Sequence, residues 1–225
     1  MNANGRAKRI LLVDDHPVVR DGLAQLINSS GDLTVCGEAG ESAEALQALE
    51  KVQPELVVVD LSLNGADGLE LIKQMRARWP ALPILVLSMH NEKLFAERVL
   101  RAGARGYIMK QEATRSVLTA IRKVLGGDVH LSGELQAHLL KRFVGGDGGR
   151  GRLPMETLSD RELAVLDLIG RGRSTRGIAE ELKLSVKTVE SYRDHIKKKL
   201  NLPTSTQLVH YAVCWAQDVQ GPNLA

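Results

Sequence analysis

The chain has 225 residues, enough for two modest domains, and its 44% apolar and 25% charged residues are those of a chain that buries a core, which excludes extensive disorder. Its two cysteines, Cys36 and Cys214, lie far apart and outside any C-x-x-C pair, which excludes a disulfide framework and a cysteine zinc site. The formal net charge is +3; Lys+Arg against Asp+Glu runs 18 to 18 over residues 1–148 and 12 to 9 over 149–225, so the surplus is C-terminal and permits nucleic-acid binding without requiring it.

The first apolar run, Ile10 to Val13, is too short for a signal-peptide core or a membrane span, so a cytoplasmic protein with no membrane partner is expected. That run and Leu33–Cys36, Leu56–Val59, Ile84–Leu87 and Gly106–Met109 read as strands. Between them, Val18–Ile27, Ala43–Leu49, Leu69–Met75 and Val117–Leu125 carry apolar spacing near 3.6 and read as helices. Strand and helix alternating five times predict a (βα)5 doubly wound parallel sheet covered on both faces. Ser132 to Phe143 reads as one more helix, and Val144-Gly-Gly-Asp-Gly-Gly-Arg-Gly-Arg152 has the composition of a flexible linker. The expected domains are therefore 8–125, a connecting segment 126–154, and an all-helical domain at 155–220.

In an open parallel sheet, ligands bind beyond the carboxyl ends of the strands. Asp14-Asp15 ends the first strand, Asp60 the third and Ser88 the fourth, and Lys110 follows the fifth. Three carboxylates brought together repel unless a cation neutralises them, and hard oxygen ligands at that density suit Mg²⁺. One carboxylate, Asp60, then serves as a nucleophile toward phosphorus, with the lysine and the hydroxyl holding phosphoryl oxygens. Singly, each residue has a plain explanation: a helix cap or turn for Asp60, a satisfied hydroxyl for Ser88, a solvated charge for Lys110. The combination in strand order carries the assignment.

These residues, with Ile10-Leu-Leu-Val-Asp-Asp-His-Pro17, Val57-Val-Val-Asp60, Gly68-Leu-Glu-Leu71, Leu87-Ser88 and Gly106-Tyr-Ile-Met-Lys110, resemble the receiver domains of two-component response regulators over about residues 8–125. The resemblance implies Mg²⁺ ligated by Asp15, Asp60 and the backbone carbonyl of Ser62, with Asp14 acting through metal-bound water. It also implies phosphoryl contacts from Ser88 and Lys110, an aromatic, Tyr107, that changes position on activation, and a phosphohistidine donor on a sensor histidine kinase. Two departures stand out: Asn64 replaces a common proline, predicting a looser loop, and Gln111 follows the lysine where proline is common, predicting a trans bond because a cis one costs roughly 3 kcal/mol.

In the last third, Ser159 with Glu162 three residues on forms the S-x-x-E signature of a helix start. That helix is expected to run to about Gly170, a second from Ser174 to near Lys183-Leu184, and a third from an N-cap at Ser185 through Leu200. A short helix, a tight turn and a longer helix make the helix-turn-helix pattern. On the third helix Val189, Ile196 and Leu200 align, flanked by Tyr192 and Arg193, while Lys187, Ser191, Asp194 and Lys198, edged by Glu190 and His195, form a polar face. Such a face is commonly mere solvation; as the second helix of a helix-turn-helix it is the expected major-groove reader.

Leu158-Ser-Asp-Arg-Glu-Leu-Ala-Val-Leu166, Gly172, Ile178-Ala179, Leu184-Ser-Val-Lys-Thr-Val-Glu190 and Lys199-Leu-Asn-Leu202 resemble the LuxR-type four-helix domain of the NarL/FixJ branch. The resemblance implies base contacts from Lys187, Glu190, Ser191 and Asp194, phosphate contacts from Thr188, Arg193, Lys197 and Lys198, and a dimer contact from the helix at Thr204–Ala216. It further implies double-stranded DNA as partner, a homodimer when active, and RNA polymerase as a further contact. Gly177 stands where relatives commonly have a helix former, which weakens that helix by about 1 kcal/mol. Two other readings compete: a regulator whose C-terminal helices grip a protein, and an aspartate-nucleophile phosphatase, which requires a second acid beside the nucleophile that Asp60-Leu-Ser-Leu63 lacks.

Overall fold

The computed structural model describes residues 6–63, 66–137 and 157–220. The chain divides into two compact units, Met1–Leu140 and Lys141–Ala225. The glycine-rich linker and residues 138–143 of the expected helix Ser132–Phe143 lie outside the described residues; before them, 133–137 are helical.

Unit 1 alternates strand and helix: β1 Lys8–Val13, α1 Pro17–Asn28, β2 Leu33–Ala39, α2 Ser42–Val52, β3 Leu56–Val59, a two-rung antiparallel pair β4 Ser62–Leu63 and β5 Ala66–Asp67, α3 Gly68–Arg78, β6 Ile84–Ser88, α4 Glu92–Ala102, β7 Gly106–Met109 and α5 Ala113–Leu125. The five longer strands form one parallel sheet in the order β2-β1-β3-β6-β7. This is the doubly wound architecture expected from the alternation. The continuous apolar strands follow from burial on both faces, with Ile10 to Val13, Leu56 to Val59 and Ile84 to Leu87 all inaccessible to solvent.

Ile10, Leu12, Leu56, Val58, Leu85 and Leu87 pack with Leu23 and Ile27 of α1 and with Val117, Ala120, Ile121 and Val124 of α5. α2, α3 and α4 line up as neighbours elsewhere on the sheet. The pattern missed two things. It singled out no helix over Glu92–Ala102, where an N-cap at Asn91, whose side chain accepts from Lys93 N, starts α4. It also gave no sign of the β4–β5 pair; residues 64–65, on which the loop expectation for Asn64 falls, lie outside the described residues. The Lys110–Gln111 bond is trans, there being no cis peptide among the described residues.

Unit 2 is helical throughout its described length: α6 Asp160–Gly170, α7 Thr175–Glu181, α8 Val186–Lys199 and α9 Ser205–Gln220. Every residue of α6 from Glu162 to Ile169 is buried, because α7, α8 and α9 all pack against it. Three serines begin three of the helices by the same device: the hydroxyls of Ser159, Ser174 and Ser185 accept from the backbone N–H three residues on, at 3.3, 3.1 and 3.0 Å. The turn between α7 and α8 passes through Lys183 in the left-handed region, φ 54°.

Gly177 occupies the third position of α7 with its N–H already on Ser174 Oγ, and an added Cβ meets only that oxygen at 3.4 Å. Gly177→Ala is therefore expected to raise the stability of unit 2 by about 0.5–1 kcal/mol. A denaturant melt showing no rise in midpoint would contradict that expectation.

Candidate functional site

Val13 pairs with Val59 in adjacent strands, so the residues that follow them, Asp14-Asp15 and Asp60, leave the sheet side by side where the strand order reverses. Asp60 N donates to the Val13 carbonyl at 2.8 Å and Asp14 N to Ala39 at 3.1 Å, which pins both backbones. All three aspartates are buried, at 3%, 9% and 2% exposure for Asp14, Asp15 and Asp60. One ligand atom from each, with one from His16, lies within 4.8 Å of all the others.

Lys110, just past β7, reaches into this group. Its Nζ lies 2.6 Å from Asp14 Oδ2 and donates to Asp60 Oδ2 at 2.8 Å. The other Asp60 oxygen accepts from Ser62 N at 3.1 Å. Burial pushes the Asp60 carboxyl above its ordinary range, Lys110 pulls it down, and the Asp14 charge adds to the rise, leaving it raised. Burial alone would lower the Lys110 ammonium, but the facing carboxylates of Asp60 and Asp14 hold it above its ordinary value. Burial opposes both charges, but the Lys110 ammonium gains from two facing carboxylates, whereas the Asp60 carboxylate gains from one ammonium and is opposed by Asp14.

Ser88, fully buried at the end of β6, accepts from His90 N at 3.2 Å. Tyr107 lies in β7 with its ring buried and its hydroxyl donating to the His90 carbonyl at 2.8 Å. The fold thus brings Asp14, Asp15, Asp60, Ser62 and Lys110 into direct contact or one shared cluster, and sets Ser88 and Tyr107 behind them through His90.

Sequence reasoning passed over two residues here. His16 caps the start of α1, with Nδ1 2.6 Å from Asp15 Oδ1 and 3.2 Å from Asp14 Oδ1. His90 Nε2 lies 3.0 Å from Ser62 Oγ, and its ring stacks on Phe95 with centroids 4.7 Å apart. Each sits one or two places beyond a residue of the cluster in sequence, His16 after Asp15 and His90 after Ser88, in loops where hydropathy gives no signal.

In unit 2, Val189 and Ile196 turn inward on α8, with Tyr192, Arg193 and Leu200 half-buried. Lys187, Glu190, Ser191, Asp194, His195 and Lys198 are exposed, and Thr188 and Lys197 half-buried. A hydrogen bond from Lys197, 2.9 Å away, holds the Asp194 carboxyl below its ordinary range. The base of α8 is tied to the start of α6 by Glu162, whose Oε2 accepts from Ser159 N and Lys199 Nζ, both at 2.7 Å.

Burial raises the Glu162 carboxyl, but Lys199 and Ser159 together hold it below its ordinary value of 4.5. The stability it contributes is full above that value and is lost as pH falls through the lower folded one. Glu162→Gln is expected to cost unit 2 about 1–2 kcal/mol at neutral pH and to flatten its acid sensitivity below about pH 4. Urea melts over that range that coincide for both chains would contradict this.

A carboxylate and lysine pocket at the switch point of one unit, and a helix-turn-helix in the other, define a two-part regulator. Residues 10–122 match the family described as response regulator receiver domain, and residues 156–212 that described as bacterial regulatory proteins, luxR family. The chain belongs to the response regulators, of NarL/FixJ type, with a receiver domain and a LuxR-type DNA-binding domain. It is similar to oxygen regulatory protein NreC of Staphylococcus carnosus, 37% identical over 209 residues that span 91% of this chain and 96% of that one. Among solved structures, a LuxR-family two-component response regulator from Aurantimonas is 34% identical, with TM-score 0.57, over 62% of this chain and 99% of that one. RcsB of Salmonella enterica serovar Typhimurium, bound to promoter P1flhDC in the presence of phosphomimetic BeF3⁻, is 27% identical, with TM-score 0.60, over 93% of this chain and all of that one. No helix among the described residues is long and apolar enough to cross a membrane.

Proposed function

We propose that the chain accepts a phosphoryl group on Asp60 from a phosphohistidine of a sensor histidine kinase and thereby controls sequence-specific binding to double-stranded DNA. The observation that carries this reading is the shared buried cluster of Asp14, Asp15 and Asp60 with Lys110 bonded across two of them.

The donor set fits a hard divalent cation, since three buried carboxylates face one ammonium and leave negative charge uncompensated. Mg²⁺ would be held by Asp15, Asp60 and the Ser62 carbonyl, with Asp14 behind them. When bound it supplies charge neutralisation for the incoming phosphoryl oxygens. An Asp60 carboxylate oxygen forms the new bond to phosphorus as the bond to the donor imidazole breaks, and the imidazole departs with that electron pair. Lys110 exchanges its bond to Asp60 Oδ2 for one to a phosphoryl oxygen, keeping its ammonium on the atom whose charge has moved. Ser88 offers its hydroxyl to a second oxygen, and Tyr107 changes position in response. The same pocket admits water for loss of the phosphoryl group, so the chain acts on itself rather than as an enzyme on other substrates.

In this reading residues 8–125 form the receiver, 126–154 the connection and 155–220 the DNA-binding domain. Lys187, Glu190, Ser191 and Asp194 meet base edges, where the two acids accept from cytosine amino groups. Thr188, Arg193, Lys197 and Lys198 meet phosphates. The active form is a cytoplasmic homodimer on two half-sites, in reach of RNA polymerase.

The test compares affinity for selected DNA sites with and without an acyl phosphate donor and Mg²⁺. Affinity is expected to rise with the donor and to fall steeply with salt, roughly tenfold or more per fourfold increase. Equal affinity with and without donor removes the switch, and a flat salt response removes the DNA reading in favour of a protein partner.

A further inference from the structure

After α5 the chain turns back at Gly127, φ +94°, instead of leaving the receiver. It then runs along the open side of β7: His130 N donates to the Arg105 carbonyl at 3.0 Å, and Tyr107 N to the His130 carbonyl at 2.9 Å, in a parallel bridge opposite Gly106. A Cβ on Gly106 would meet the His130 carbonyl at 3.1 Å and the side chain of Leu85 at 2.7 Å, so the glycine admits this close approach. Beyond it Leu131 and Leu135 are buried.

The same segment is fastened to the first turn of α4. Ser132 N donates to Glu92 Oε1 at 2.9 Å, and Lys93 Nζ pairs with Glu134 Oε1 at 2.5 Å. Glu92 is itself buried, and Ser132 Oγ accepts from Leu135 N at 3.2 Å to start the next helical turn. Residues 128–137 therefore form a strap across β7 and α4, and the polypeptide reaches the DNA-binding half only through it.

The strap is linked to the acid pocket through Tyr107 and His90, whose Nε2 lies 3.0 Å from Ser62 Oγ. The Tyr107 backbone holds His130, its hydroxyl holds the His90 carbonyl, and His90 N rests on Ser88 Oγ. We infer that the strap is a latch: it is closed when Asp60 is unmodified, and modification at Asp60 releases residues 128–137 from β7 and α4, lengthening the tether to the DNA-binding domain. This rests on the proposed role of Asp60. Drawing Ser88 Oγ toward a phosphoryl oxygen takes an acceptor from His90 N, and displacement of His90 breaks the bond of the buried Tyr107 hydroxyl to the His90 carbonyl. Losing a buried hydrogen bond is costly, so β7 and the strap bonded to it must readjust together.

Hydrogen exchange on the full chain with and without beryllofluoride and Mg²⁺ tests this, with loading of the receiver checked by mass under native conditions. In the loaded protein, amides of 128–137 are expected to exchange at least about fivefold faster, while α5 stays protected. Glu92→Gln, which keeps side-chain volume, and Leu135→Ala are each expected to raise strap exchange and DNA affinity without the mimic, toward the loaded value. Strap exchange that is unchanged or slower in protein shown to be loaded overturns the latch and leaves the phosphoryl switch standing. Variants that open the strap with DNA affinity unmoved also overturn it. Failure of wild-type protein to load overturns the reading of Asp60 and the latch with it.

Discussion

Asp60→Asn is expected to take up no phosphoryl group from a small acyl phosphate, and its DNA affinity is expected not to respond to the donor. The amide keeps the shape of the carboxyl, but its single oxygen can accept from only one of Ser62 N and Lys110 Nζ, which now hold the two oxygens of Asp60. What disappears is the nucleophile: an amide oxygen forms no stable bond to phosphorus, so the loss is complete rather than partial. The variant is also expected to melt above wild type in metal-free buffer. Burial and the Asp14 charge hold the Asp60 carboxyl above its ordinary range, so its ionised form weakens the folded state at neutral pH. Removing that charge leaves Lys110 with Asp14 alone. Added Mg²⁺ should then raise the melting temperature of wild type more than that of the variant, because stabilisation by a bound ion scales with affinity for the folded site. Phosphoryl uptake by the variant on any other residue, followed by mass, would contradict the assignment; a lower melting temperature without metal would contradict the electrostatic argument.

Much of this pocket was legible because its residues lie at the ends of runs that hydropathy marks plainly. Asp14, Asp60 and Ser88 each terminate an unbroken apolar strand, and a parallel sheet necessarily carries such termini to one edge. Lys110 was legible for the same reason. The three serine caps of the C-terminal helices were readable from local chemistry alone, since the hydroxyl bonds a backbone N–H three residues away. His16 and His90 were not, because their roles depend on which loop lies opposite, and periodicity carries nothing about loops. The strap was hidden more deeply. Val129, His130 and Leu131 show neither alternation nor helical spacing, and their pairing to β7 arises from the free edge of the last strand and the missing side chain at Gly106, both properties of the assembled sheet. Glu92 illustrates the same limit: it opens a helix that the periodicity did not mark, and there it is buried and bonded by the strap at Ser132 N.

Gly68→Ala should slow phosphoryl acceptance by about one to two orders of magnitude while leaving the receiver folded. Gly68 opens α3 directly behind the acceptor loop, and its N–H donates to the Leu61 carbonyl at 3.2 Å. A Cβ there would lie 2.6 Å from Leu61 Cα and 2.7 Å from the carbonyl oxygens of both Asp60 and Leu61. All three are backbone atoms, so no rotamer change relieves the contact, and either α3 or the Asp60–Leu61 segment must move. Alanine at the start of a helix gains at most about 1 kcal/mol over glycine, whereas overpacking against fixed backbone costs about 1–3 kcal/mol, so the clash prevails. α3 is anchored by four buried apolar side chains, Leu69, Leu71, Ile72 and Met75, against two, Leu61 and Leu63, on the acceptor segment. The loop yields, then, and Asp60 shifts relative to Asp14, Asp15 and Lys110. A displacement of about 1 Å at a reacting group suffices for a hundredfold loss without any change in chemical identity. Single-turnover labelling with a small acyl phosphate, alongside circular dichroism melts, separates this from unfolding. Wild-type labelling rates in a folded Gly68→Ala protein would mean that α3 rather than the loop absorbs the clash, and that the spacing of the pocket tolerates its displacement.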